Sequence, residues 1–334
     1  MSAMRRGRAR GIVLRLDADH RTGLAHAVRV RNLLASLATE VRSSVVGSGD
    51  SLPKFFPDSP IAQPSNMLDL IRVANESDAL LIDLPAVREV AWAKLAETVH
   101  VPMIVVDDYG GDIQADLIVN GTVIDAYHKY PAQVRDGRIF CGGQYALLHP
   151  AFGETQWHRD RAEGITVVVG GGDRAVRWAF ALVGGSPHFA AEMAIVVGHS
   201  FPDAASLKSR CAAQGVAFHQ ALDSPELAKL LSASAVAIVT GGMIVYECLA
   251  LGVPAIIFPQ EQNLVREADW FERKGYVVNL GHEGGMNINA VAATANELLA
   301  DADRLAALSA AGRAIIDGKG TLRVAAAIDE LLAG

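Results

Sequence analysis

Short apolar runs that are continuous rather than alternating recur along this chain, and stretches with helical spacing separate them. In the first half they are Gly11-Ile-Val-Leu-Arg-Leu-Asp17, Ala79-Leu-Leu-Ile-Asp83, Met103-Ile-Val-Val-Asp-Asp108 and Asp116-Leu-Ile-Val-Asn120, beside a more polar strand-like run over 41–46. A strand with one wet face alternates apolar and polar residues. A run that is apolar on both sides of the pleat suits a parallel strand covered by helices on both faces. Val30, Leu33, Leu34 and Leu37, at i, i+3, i+4 and i+7, mark one face of such a helix. The pattern predicts an α/β fold with doubly wound parallel sheets.

Over residues 150–164 the rhythm stops. The segment is polar, holds Trp157 and His158 and has no period, so a linker is expected there. Beyond it the alternation restarts, with strands at 165–169, 193–197, 236–239 and 255–258. Helices are expected over 225–231, from Met243, and over roughly 261–274, the last placing Leu264, Ala268 and Phe271 on one face. At about 150 residues per domain, this predicts two Rossmann-type domains facing each other across a cleft, at 11–150 and 164–320. A final helix, within 321–334, is expected to pack back on the first domain.

Composition narrows the class. Hydrophobic residues make up 51% and charged residues 20%, enough for a large core and incompatible with intrinsic disorder. No apolar run reaches the length of a membrane span. Behind the basic start only Ile12-Val13-Leu14 precede Arg15, too short for a signal-peptide core. Cys141, Cys211 and Cys248 have no framework spacing. A cytoplasmic protein is expected. The net charge of −7 includes Arg5, Arg6, Arg8 and Arg10 near the start, so the remainder is more acidic still. That argues against a nucleic-acid partner, and the basic start reads as a solvated terminus.

In open α/β sheets, ligands sit beyond the carboxyl ends of the strands, so those positions are read first. The first strand ends in Asp17 and leads through His20, which reads as loop, to His26 at or near the start of a helix. The positive end of the helix dipole there disfavours imidazolium and leaves a ring able to accept a proton. An ordinary surface or capping histidine has the same placement. Val168-Val-Gly-Gly-Gly-Asp173 puts Gly170, Gly171 and Gly172 between a strand and a helix, where backbone N–H groups can face a phosphate; tight connections also look like this. Val239-Thr-Gly-Gly-Met-Ile-Val-Tyr-Glu247 repeats that unit. Gly241 and Gly242 precede a helix that presents Glu247 about a turn in, suited to ribose hydroxyls or simply solvated. Two such units in one half point to a nucleoside-diphosphate site. Asp107-Asp108 suits acid–base work, a magnesium ion, a helix cap or an ion pair. The other histidines lack metal-ligand spacing, and neither a Gly-x-Ser-x-Gly elbow nor a Walker loop is present.

Together these segments resemble the UDP-sugar hydrolase family of pseudaminic acid biosynthesis. That family is related to the glycosyltransferases of the two-Rossmann-domain (GT-B) type, including the N-acetylglucosaminyl transferase that forms lipid II. The resemblance runs from about Arg15 to Gly281. It is carried by Arg15-x-Asp17, Gly23-x-x-His26-x-x-Arg29, Asp107-Asp108, Cys141-Gly-x-x-Tyr145-Ala-Leu, Gly170-Gly-x-Asp173, Gly241-x-x-x-x-x-Glu247 with Gly252-x-Pro254, and Asn263 upstream of Lys274-Gly275-Tyr276. The resemblance implies His26 as general base for an attacking water, Asn263 near the sugar, and glycine turns with Glu247 holding UDP in the second domain. His26, Asn263 and Asp17 are thus the candidate catalytic residues, and Gly170, Gly171, Gly172, Gly241, Gly242 and Glu247 the candidate nucleotide-binding ones. No metal and no cofactor are expected. Three departures stand out: Ala25 where the family has a glycine, Leu84-Pro85 after Asp83 where it has an Asp-His-Tyr-like triplet, and Leu264 where a glutamine follows the asparagine. They alter a polar lining of the sugar pocket. The implied reaction is inverting cleavage of a UDP-activated amino-deoxy sugar to UDP and free sugar. The alternatives are a GT-B glycosyltransferase using a UDP-sugar donor and a non-catalytic sugar-nucleotide-binding paralogue.

Overall fold

The computed structural model describes residues 9–19, 24–63, 66–85, 90–131, 137–158, 160, 162–170, 173–184, 189–199, 201–260, 262–284 and 287–333. The chain divides into two units, Met1–Leu148 with Lys319–Gly334, and His149–Gly318.

The first unit is built on β1 (Arg10–Leu16), β2 (Val41–Val46), β3 (Ile61–Ala62), β4 (Ala79–Asp83), β5 (Met103–Val106), β6 (Leu117–Asn120) and β7 (Arg138–Cys141). They form one seven-stranded sheet in the order β3-β2-β1-β4-β5-β6-β7, parallel at every pairing. Successive side chains of β1 enter opposite layers. Ile12, Leu14 and Leu16 join one buried cluster with Ala27, Val30 and Leu33, while Val13 joins a second with Leu80, Ile82, Trp92 and Leu95. Both faces are therefore core, which is why these strands lack polar alternation. The helices of this unit are α1 (Ala25–Ala35), α2 (Leu52–Phe55), α3 (Met67–Asn75) and α4 (Trp92–Thr98). The strand expected over 103–108 stops at Val106 because Asp107 turns back and accepts a hydrogen bond from the Gly110 amide at 2.6 Å.

The second unit carries β8 (Ile165–Val169), β9 (Met193–Val197), β10 (Ala217–Gln220), β11 (Val236–Val239), β12 (Ala255–Ile257) and β13 (Val278–Asn279). Their order is β10-β9-β8-β11-β12-β13, again parallel throughout. Its helices are α5 (Ala151–Glu154), α6 (Asp173–Gly184), α7 (Ala204–Ala213), α8 (Ser224–Ser232), α9 (Met243–Leu251), α10 (Gln262–Arg273), α11 (Gly281–Gly284), α12 (Ile288–Ala300) and α13 (Ala302–Ile315).

Residues 150–164 do not behave as the linker their composition suggests. Helix α5 packs on α8 and α9, with Phe152 fully buried. Trp157 is buried too, and its indole N–H donates to the Ser234 carbonyl at 2.8 Å. Two apolar anchors hold an otherwise polar segment in the second unit. The last helix, α14 (Gly320–Ala333), belongs to the first. Val324, Ala325, Ala327, Ile328 and Leu332 enter the cluster that α1 helps to build. Asp329 accepts hydrogen bonds from the amides of Ala38 and Thr39, both at 2.9 Å. Among the described residues, no helix is long and apolar enough to cross a membrane.

Candidate active site

In the first sheet the strand order reverses between β1 and β4, and a crevice at the strands' carboxyl ends is expected at such a reversal. Asp83, the last residue of β4, stands there, fully buried. His26 and Arg29, three apart on the first turns of α1, reach it from one helix face. His26 Nδ1 lies 2.6 Å from Asp83 Oδ1. Arg29 donates from Nε to Asp83 Oδ2 at 2.7 Å and from Nη2 to Oδ1 at 2.6 Å. The other edge of its guanidinium forks onto Asp108, at 2.8 Å from Nη1 and 3.0 Å from Nη2.

This network sets the protonation pattern. Burial alone would raise the Asp83 pKa, but Arg29 and His26 hold it below the ordinary carboxylate value. Burial works against charge on Arg29 as well, yet Asp108 and Asp83 keep it well above its usual range. Asp83 is therefore an ionised acceptor, and His26 Nδ1 must carry the proton that faces it. The 3.2 Å approach of Arg29 Nη2 to Nδ1 then brings two donors side by side and is no hydrogen bond. A neutral His26 has Nε2 as its acceptor atom, and no described residue hydrogen-bonds that atom. The departures beside this cluster leave it intact. Ala25 opens α1, and Leu84 packs against the second core cluster.

The other acidic candidates have partners of their own, although Asp107 Oδ1 is buried without a hydrogen bond from any described residue. Asp17 accepts from Arg15 Nη1 at 2.8 Å, from the Ser48 amide at 2.7 Å and from the Ser48 hydroxyl at 2.8 Å. Burial opposes its ionisation, but these partners lower its pKa. No hydrogen bond joins it to His26, and its position is that of a loop anchor. Asp107 and Asp108, adjacent in sequence, diverge: Asp108 takes Arg29, while Asp107 Oδ2 accepts from the Tyr130 hydroxyl at 2.6 Å. Burial and this carboxylate raise the Tyr130 pKa. Among the described residues, no group of three or more His, Cys, Asp or Glu is placed to hold a metal ion.

In the second sheet the order reverses between β8 and β11, which are hydrogen-bonded neighbours. Gly170 follows β8; Gly171 and Gly172 lie outside the described residues. Thr240 and Gly241-Gly242 follow β11, and the Thr240 hydroxyl lies 3.8 Å from where a Gly170 side chain would begin. Gly170 thus stands beside the turn that follows β11. Gly241 and Gly242 have φ of +97° and +80°, a region that an L side chain adopts only under strain. Gly242 caps α9 without a side-chain hydrogen bond; the Val245 N–H donates to the Gly242 carbonyl at 3.0 Å, and the N–H groups of Met243 and Ile244 have no intrahelical acceptor. Around Gly242 nothing stands within 4 Å of where a Cβ would lie.

Glu247 sits a turn into α9, half-buried, and no described residue hydrogen-bonds its carboxyl. Burial pushes its pKa from 4.5 up to about 7. Leu264, the third departure, packs against the Gly241 turn, its Cδ1 3.2 Å from where a Cβ would stand. Asn263 is the second residue of α10, and its side chain lies outside what the structure describes. Three groups escaped the sequence reading. Arg29 was visible only as a motif letter three residues after His26, and Asp83 only as a strand terminus at the head of the altered triplet. The third, Gln260, follows β12 and has a buried amide nitrogen without a partner.

No family model matches the chain. It is 23% identical over 329 residues to the spore coat polysaccharide biosynthesis protein SpsG of Bacillus subtilis, covering 94% of this chain and 96% of that protein. The calicheamicin glycosyltransferase CalG4 is similar in structure, with a TM-score of 0.64 at 14% identity over 98% of this chain and 99% of that one. So is the UDP-GlcNAc 2-epimerase of Neisseria meningitidis, solved bound to UDP-GlcNAc, with a TM-score of 0.60 at 11% identity over 97% and 99%. With two parallel, doubly wound sheets on one polypeptide and these likenesses along nearly its whole length, the chain has the GT-B fold.

Proposed function

We propose that this chain is an enzyme that binds a UDP-sugar and transfers its glycosyl group to an acceptor hydroxyl, with His26 as general base. The observation that carries the reading is the buried network in which Asp83 orients His26 and leaves Nε2 without a hydrogen bond from any described residue. Nε2 accepts the proton of the acceptor hydroxyl as its oxygen attacks the anomeric carbon. The bond from that carbon to the UDP oxygen breaks, its electron pair leaves with UDP, and the configuration inverts. First-turn N–H groups of α9 beside the glycine turns suit the diphosphate charge that develops, and the Glu247 carboxylate suits ribose hydroxyls. The likeness to a protein named for spore coat polysaccharide biosynthesis, and to a glycosyltransferase and a UDP-GlcNAc-bound epimerase, supports a sugar nucleotide as ligand.

A second reading replaces the acceptor by water and makes the enzyme a hydrolase acting on a UDP-activated amino-deoxy sugar. It is favoured by one observation: His26, Arg29 and Asp108, drawn from two of the segments that carry the resemblance to UDP-sugar hydrolases, meet in a single network with Asp83. A UDP-sugar panel assayed for UDP release, with and without acceptor glycans, tests both. Release that requires an acceptor is the expected result. Release with free sugar in buffer alone would move the assignment to hydrolysis, and release from no member of the panel would contradict both.

A further inference from the structure

An aspartate bonded to a histidine favours the protonated form of that ring. An opposite charge at hydrogen-bond distance stabilises imidazolium by about 1–3 pH units, and a base already protonated accepts nothing. Here a second cation is held against the same carboxylate. Arg29 engages both Asp83 oxygens, at 2.6 and 2.7 Å, and its Nη2 stands 3.2 Å from His26 Nδ1. It is buried and cannot swing away, because Asp108 grips its other edge through two hydrogen bonds. A positive charge on His26 would sit against this fixed guanidinium. Only a planar fork spans two carboxylates in this way, which a lysine ammonium cannot do.

Among the described residues, these further charged groups on the surrounding elements have partners of their own. Arg31 on α1 lies over the Phe55 ring, and Arg15 and Asp17 beyond β1 pair with each other. Asp107 takes Tyr130 and Gly110. On α14, Arg323 donates to the Gln144 carbonyl, Asp329 accepts from Ala38 and Thr39, and Glu330 pairs with Arg138. None of these groups is bonded to His26.

We propose that Arg29 is a positioning residue that offsets Asp83 and so keeps His26 a neutral ring with its proton on Nδ1, and that Asp108 is the anchor that fixes Arg29 in place. This rests on the reading of His26 as the base, but its first consequence belongs to the resting protein. Without Arg29, the field of Asp83 acts on His26 undiminished, and the imidazolium that forms supplies the counter-charge that Asp83 has lost. The variants therefore retain a buried ion pair.

The test is an NMR titration of the His26 imidazole in the full-length protein without ligand, the signal being assigned by its loss in His26→Asn. Arg29→Gln, which keeps donors but no charge, should raise the titration midpoint by about one pH unit or more. Arg29→Met should do the same, and either variant suffices if the other does not fold. A midpoint that stays put or falls would overturn the proposal. Should the midpoint rise while the acid limb of UDP release stays where it is in the unsubstituted protein, the positioning role stands and the assignment of His26 as base fails.

Discussion

At the residue scale, the atom of His26 that carries its proton decides whether the ring can accept another. Asp83 is the only described carboxylate bonded to that ring, so Asp83→Asn removes the charge that Arg29 answers and puts an amide, which donates as well as accepts, where the carboxylate fixed the tautomer. UDP release by this variant should fall by about 10²–10⁴-fold with UDP affinity unchanged, measured as kcat and by calorimetry; a normal kcat would show that the orientation is idle. Glu247 makes a separate, pH-linked prediction. With its pKa raised from 4.5 to about 7 by burial, the ligand-free protein holds this proton more tightly than the unfolded chain. The stability Glu247 contributes is therefore full below pH 4.5 and is lost as pH rises to about 7. Ribose hydroxyls need the ionised form as acceptor, so UDP binding should weaken as pH falls below about 7. Calorimetry at several pH values checks this, and Glu247→Gln should remove that slope together with part of the affinity. An unaltered slope in the variant would assign the proton to another group.

At the scale of elements, α14 ties the end of the chain into the first core. Ile328 and Leu332 are buried in the same cluster as Val30 and Leu33 of α1, so Ile328→Ala should cost about 2–5 kcal/mol, read as a lower midpoint in urea; a loss within experimental error would mean that α14 is only loosely held. This helix was legible in sequence from its apolar spacing, as were the strands Ala79–Asp83, Ile165–Val169 and Val236–Val239, whose runs are apolar because both faces are covered. The short edge strands Ile61–Ala62 and Ala217–Gln220 were not, since exposed or half-buried side chains leave no such run. Residues 150–164 misled because two anchors, Phe152 and Trp157, outweigh a polar composition. In the site, the glycine turns and His26 could be read locally. The role of Asp83 could not, because 57 residues separate it from His26 and only the adjacency of β1 and β4 brings them together.

At the scale of the whole molecule, both units place their polar groups where the strand order reverses, and they divide the proposed chemistry: a base in the first and an anion site in the second. In the proposed anion site the positive field comes from helix N–H groups, so UDP release should persist in EDTA. Complete loss, restored by Mg²⁺ or Mn²⁺, would make metal the counter-charge and call for a rearrangement of Asp107 and Asp108. The most direct measurement of the central claim is UDP release by His26→Asn beside its UDP affinity, both in the full-length protein with the best donor of the panel. The account predicts a rate lower by about 10²–10⁴-fold at an unchanged dissociation constant for UDP, since the proposed nucleotide contacts lie in the other unit. A rate equal to that of the unsubstituted protein would contradict it.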